Sequence, residues 1–221
     1  MRQLPLNLEH RPALGADDFL VAAPNREVVA WLDRWPAWPA PALVLTGPAG
    51  SGKTHLAHVF AARANATLLA AAALDVGRVP DLLGAARAIA LDDAEAAEEQ
   101  AFLHLYNMLA ERGGHLLVLA RRPPARWGIK LADLRSRLLA AQVATLLPPD
   151  DALLSAVLLK LFADRQLQLT EGVMNYLLTR LERSFEAAQH AVAALDRAAL
   201  AAHRRITVPL AREVLGEGWE A

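Results

Sequence analysis

The octapeptide Gly47-Pro48-Ala49-Gly50-Ser51-Gly52-Lys53-Thr54 stands between an unbroken apolar run and a helix-patterned one. Ala42-Leu43-Val44-Leu45 before it reads as a buried strand; Thr54 to Arg63 after it reads as a helix, with Leu56, Val59, Phe60 and Arg63 at helical spacing. Strand, glycine-rich loop and helix in that order make a phosphate-binding loop. The glycines let the backbone curl its N–H groups toward a polyphosphate, Lys53 reaches the β- and γ-phosphates, and the Thr54 hydroxyl holds Mg²⁺. A nucleoside di- or triphosphate is therefore the expected ligand, and an open parallel sheet the expected scaffold.

The rest of the first two thirds agrees with that scaffold. Ala66–Ala70, Ala88–Leu91 and Leu116–Leu119 read as further strands, Asn25–Asp33 as a helix capped by Asn25, Asp81–Arg87 as a short helix, and Glu95 to about Arg112 as a long one ended by Gly113-Gly114. Short, wholly apolar strands alternating with helices imply a sheet covered on both faces. After Pro148-Pro149 only helical periodicity remains, at about 151–165, 170–182, 184–203 and 208–215, with starts at Thr170 and Thr207. The expected organisation is a tail over 1–16, an α/β nucleotide-binding domain over 17–148 and a small all-helical lid over 149–221.

With 54% hydrophobic residues in 221, the chain can bury a sizeable core, and a net charge of −1 gives no bulk attraction to nucleic acid or anionic membrane. No cysteine is present, which excludes disulfides, thiolate metal sites and cysteine nucleophiles. Neither a signal peptide nor a membrane-length apolar run is visible, so a cytoplasmic protein without membrane contact is expected.

Two further segments carry chemistry. Ile89-Ala90-Leu91-Asp92-Asp93 delivers carboxylates at the C-terminal end of a strand, the edge where open sheets bind ligands. Asp92 would hold Mg²⁺ through water and Asp93 would face an attacking water; both could instead merely cap the next helix. In Asp133-Leu134-Arg135-Ser136-Arg137-Leu138, on a short helix, Arg135 and Arg137 leave in different directions, and one could meet a neighbour's γ-phosphate or simply face solvent. His55 and His58 lack a third metal ligand, the end of a helix explains Arg204-Arg205, and Trp31, Trp35 and Trp38 read as packing residues.

The order of phosphate loop, Leu-Asp-Asp, Arg-Arg-Pro-Pro, Asp-Leu-Arg-Ser-Arg-Leu and helical tail resembles the AAA+ domain of the DnaA family of bacterial replication initiators, over about 17–215. The resemblance implies that Phe19, Leu20 and Asn25 pack near the adenine, that Arg183 is a second sensor arginine, and that Arg137 completes a partner's ATP site in trans. It also implies ADP or ATP with Mg²⁺ as cofactor and the initiator DnaA as partner, with a homo-oligomer left open. The chain stops before the family's DNA-binding helix-turn-helix domain would fit. At its start, Gln3-Leu4-Pro5-Leu6-Asn7-Leu8 looks like a peptide that docks on the replicative sliding clamp, with Leu4, Leu6 and Leu8 on one side of an extended strand. DNA contact would then be indirect, through the clamp. Leu119-Ala120 lacks the polar first-sensor residue usual in the family, so self-hydrolysis should be slow and bound nucleotide, as ADP, structural. The expected activity is stimulation of the initiator's ATP hydrolysis. The rivals are an initiator-related adaptor, a helicase loader and a small-molecule phosphotransferase.

Overall fold

In the computed structural model, residues 9–10 and 20–216 are described. Tail residues Gln3 to Leu8, and Phe19 of the expected adenine segment, lie outside them. The chain divides into two compact units, meeting in sequence at Leu147 and Pro148.

The first unit opens with β1 (Glu9–His10) and β2 (Leu20–Val21), an antiparallel pair, and then α1 (Arg26–Asp33). Asn25 stands at the start of α1 as expected, but its side chain does not cap it. Asn25 Oδ1 accepts from the Ala22 N–H at 2.8 Å and Nδ2 donates to the Leu20 carbonyl at 2.8 Å, so the buried amide stitches the segment before the helix.

The main sheet comprises β3 (Ala42–Thr46), β4 (Thr67–Ala70), β5 (Ala88–Asp92), β6 (His115–Ala120) and β7 (Gln142–Thr145), in the order β4-β5-β6-β3-β7 and parallel throughout. Between them run α2 (Lys53–Ala64), α3 (Val79–Leu83), α4 (Glu99–Glu111) and α5 (Ala132–Ala140). Strands β3, β5 and β6 are almost wholly buried because helices cover both their faces. Ile89, Leu91, Leu116 and Val118 pack with Phe102, Leu105 and Leu109 of α4 on one side. Leu43, Leu45, Leu117 and Leu119 pack with Leu56 and Phe60 of α2 on the other. Trp38 stacks on Phe60 with ring centroids 5.4 Å apart, and Trp35 meets the same ring edge-on, so these tryptophans belong to the core.

Two further sequence expectations need correction, and one strand went unread. The helix expected from Glu95 begins at Glu99, because Asp93 adopts a left-handed conformation (φ 52°), a short 3₁₀ turn follows, and Glu98 caps α4 by accepting from the N–H groups of Gln100 and Ala101. The short helix expected at Asp81–Arg87 ends at Leu83, where Gly84 takes a positive φ. Strand β7 was not expected: Gln142 and Thr145 give it no apolar run, since an edge strand buries little.

The second unit holds α6 (Asp151–Asp164), α7 (Glu171–Arg180), α8 (Phe185–Ala202) and α9 (Val208–Val214). Each begins on a residue whose side chain accepts from a first-turn N–H: Asp150, Thr170, Ser184 and Thr207. Leu154, Leu158 and Phe162 of α6 share one core with Val173 and Leu177 of α7 and with Ala188, Val192 and Leu195 of α8. Each large member of that core contributes about 1.5–3 kcal/mol by leaving water. Among the described residues, no helix is long and apolar enough to cross a membrane.

Candidate functional site

The loop Gly47–Thr54 leaves the carboxyl end of β3 and enters α2 at Lys53. Gly50 (φ 65°) and Gly52 (φ 94°) take left-handed conformations that a side chain would strain, turning the backbone around a concave centre. Gly47 is required for a different reason. A Cβ there would lie 2.8 Å from the Leu146 carbonyl oxygen, just beyond β7, and 2.9 Å from Ser51 Oγ. Ser51 is buried within the loop, and its hydroxyl has no hydrogen-bond partner among the described residues.

Lys53 Nζ reaches back to donate to the Gly47 carbonyl at 2.8 Å and the Pro48 carbonyl at 2.7 Å. Burial lowers its pKa below the usual lysine range. The carboxylates of Asp92, Asp93 and Glu95 oppose that shift, and the nearby Arg121 charge adds to it. An ammonium desolvated in this way, and held only by neutral carbonyls, is suited to an incoming phosphate.

Thr54 Oγ1 donates to Asp92 Oδ2 at 2.8 Å, and the Asp93 N–H donates to Asp92 Oδ1 at 2.9 Å. Hydroxyl and carboxylate thus meet from two elements, as oxygen ligands of a hard cation would. The Asp93 carboxylate is exposed, without a hydrogen-bond partner among the described residues.

Glu95 organises the neighbouring strand end. One carboxylate oxygen accepts from the N–H groups of both Arg121 and Arg122 at 2.7 Å, and the other takes Arg122 Nε at 2.9 Å and Nη2 at 2.8 Å. Burial pushes the Glu95 carboxyl up, but the hydrogen bonds from Arg122 and Arg121 outweigh it and hold the pKa below the usual range. Sequence reading missed both Glu95 and Arg121, since their contacts join residues far apart in the chain; the only signal was an acid shortly after Asp92-Asp93 and an arginine pair closing β6.

On α5, Arg137 and Arg135 diverge as expected. Arg137 pairs with Asp133 one turn earlier at 3.1 Å and lies over the Tyr106 ring, 5.4 Å from its centroid. Arg135 is exposed and makes no ion pair among the described residues. In the second unit, Arg183 precedes the Ser184 cap and pairs with Asp151; both side chains are more than half exposed. The structure therefore gathers Lys53, Thr54, Asp92 and Asp93 at one sheet edge. It sets Leu20 and Asn25 beside α1, with the Asn25 amide engaged by backbone.

A family model described as "Hda, lid domain" matches residues 151–215, which are α6 to α9. The four helices after Pro149 are thus similar to an Hda lid. Among solved structures, domain III of the Thermotoga maritima replication initiation protein DnaA superimposes with a TM-score of 0.78 at 18% identity, covering 93% of this chain and 97% of that one. AMPPCP-bound DnaA from Aquifex aeolicus gives 0.69 at 16% identity, over 84% of this chain and 65% of that one. The Thermotoga maritima RuvB Holliday junction branch migration motor gives 0.71 at 16% identity, over 86% and 67%. These likenesses fix the AAA+ fold of the sheet unit that accompanies the Hda lid.

Proposed function

We propose that this chain regulates the start of chromosome replication by binding an adenine nucleotide and the sliding clamp and stimulating ATP hydrolysis on the initiator DnaA. The observation that carries the reading is an Hda lid following a sheet unit in which Lys53, Thr54 and Asp92 converge. The AMPPCP-bound DnaA relative supports an adenine nucleotide as the ligand. The loop N–H groups and Lys53 would take the phosphates, and Thr54 and Asp92 would hold Mg²⁺, which offsets phosphate charge. Leu20 and Asn25, together with Phe19, would border the adenine.

Self-hydrolysis is slow in this reading because Leu119 and Ala120, both buried at the end of β6, offer no polar group to position water near Asp93. Arg137 acts on the partner. Its guanidinium is partly exposed and braced by Asp133 and Tyr106, so little side-chain freedom is lost when it engages a second anion. A trans arginine of this kind accelerates phosphoryl transfer by a factor on the order of 10³–10⁵. The Gln3–Leu8 peptide supplies the clamp contact and brings the assembly to DNA.

The test follows labelled ATP pre-bound to the initiator in a mixture with loaded clamp and this protein. Arg137→Ala should retain nucleotide and clamp binding and lose the stimulation, while Arg135→Ala should be milder. Loss of the Asp133 pair costs only a few tenths of a kcal/mol, about 0.3–0.5, so the variant stays folded. Full stimulation by Arg137→Ala would sink the trans mechanism. No stimulation by the wild type would favour the adaptor.

A further inference from the structure

We infer that Glu99 is a positioning residue for Arg137: by gripping the backbone where α5 begins, it fixes the register of the helix that presents the trans arginine. The inference rests on the trans-arginine reading above and adds to it a residue on a different helix, α4.

Two contacts tie α4 to α5. At the start of α5, the Lys130 N–H donates to Glu99 Oε1 at 3.0 Å and to Oε2 at 3.1 Å, and the Leu131 N–H donates to Oε2 at 2.7 Å. These bonds hold the Glu99 carboxyl below the usual range, so it is ionised at neutral pH. Further along, the Arg137 guanidinium lies over the Tyr106 ring, 5.4 Å from its centroid. Glu99 and Tyr106 are two turns apart on one face of α4, a rise of about 10 Å. Nearly the same rise, about 9 Å, separates Leu131 from Arg137 along α5. The helices therefore run side by side in one sense. One face of α4 meets α5 both where it begins and where it carries Arg137.

Apolar packing alone would not fix that alignment. Leu134 and Leu138 of α5 share a core with Phe102, Leu105 and Leu109 of α4. Such contacts are non-directional and change little when a helix slides or turns slightly. Hydrogen bonds to a carboxylate are short and depend on angle, so they resist the same movement. No side chain caps α5 at Leu131, and the start of the helix is anchored from α4 instead. At the other end of the same connection, Glu95 holds the N–H groups of Arg121 and Arg122. The stretch from β6 to α5 is thus clasped at both ends by carboxylates that follow Asp92-Asp93 in the chain, which gives α5 a fixed origin relative to the sheet.

The experiment follows labelled ATP on the initiator with loaded clamp, titrating full-length wild type, Glu99→Ala, Glu99→Gln and Arg137→Ala. A reacting group displaced by about 1 Å can lose about a hundred-fold in rate. Leu134, Leu138 and Asp133 still restrain α5, so Glu99→Ala should lower the maximal stimulated rate about ten-fold. The concentration giving half-maximal stimulation should stay the same, which separates positioning from docking. Glu99→Gln keeps one oxygen for the Leu131 N–H and should fall between wild type and alanine. The same intermediate rate is the test if Glu99→Ala melts below the assay temperature. Hydrogen exchange at the Lys130 and Leu131 amides should quicken in both variants, more in alanine. Maximal rates equal to wild type, a loss confined to the half-maximal concentration, or unchanged exchange would overturn the assignment while Arg137→Ala remains inactive. Full stimulation by Arg137→Ala, or none by wild type, would overturn the trans reading and the assignment together.

Discussion

Removing the Glu95 carboxylate tests whether the end of β6 is built by one side chain. In Glu95→Ala, two backbone N–H groups lose a charged acceptor and Arg122 loses both of its contacts. The Arg122 side chain is 61% exposed against 18% for Glu95, so the ion pair itself contributes at the low end, under about 1 kcal/mol. The two backbone bonds to an ionised oxygen contribute about 1 kcal/mol each once solvation of the freed N–H groups is allowed for. The sum is about 2–3 kcal/mol, or a fall of about 5–10 °C in melting temperature for a chain of this size. Glu95→Gln should lose roughly half of that, since it keeps an acceptor but not the charge. The pH dependence has a definite sign. Because the folded pKa is depressed, the contribution is complete above the unfolded value of about 4.3 and is lost as pH falls through the folded one. The wild-type advantage over Glu95→Ala should thus be constant from about pH 8 to 5 and close below about pH 4. Thermal melts of both proteins across that range are the assay. An equal melting temperature at pH 7, or a gap that persists unchanged at pH 3, would refute the reasoning.

Lys53→Ala should abolish the rise in melting temperature that ADP gives the wild type, without lowering that of the free protein. The depressed Lys53 pKa makes the buried ammonium a cost to the folded state at pH 7, one that shrinks only as pH climbs through the lowered pKa toward 10.5; a less stable ligand-free variant would contradict this. Leu6→Ala with Leu8→Ala should abolish clamp binding, measured by surface plasmon resonance, and leave the melt unchanged; the leucines supply about 1.5–3 kcal/mol each on burial, and a loss of folding would assign them to a core instead.

What could be read from the sequence follows a physical division. Lys53, Thr54 and Asp92 were legible because each sits at a fixed offset from an apolar strand, and strands of that kind announce themselves. Thr170 and Thr207 were legible as helix starts, since capping is a contact across three residues. Asn25 misled because the same amide that can cap a helix can turn back to the preceding backbone, and only the chain path around Leu20 and Ala22 decides between them. Strand β7 was silent because its pairing partner, β3, supplies the information, and nothing local to Gln142–Thr145 does. Glu95 and Arg121 were missed for the same reason: their meaning lies in a contact over 26 positions.

The close approach at Gly47 alters how decay of this site would look in related chains. On the proposed function, a lineage that abandoned nucleotide would be free to drift at Lys53 and Thr54, whose side chains would serve the ligand. It would not be free at Gly47, where the backbone of Leu146 returns within 2.8 Å of any added carbon, whether or not a phosphate is ever bound. A glycine surviving alone in an otherwise eroded loop would then mark the geometry of β3 beside the end of β7, and would be a fossil of folding instead of a relic of function.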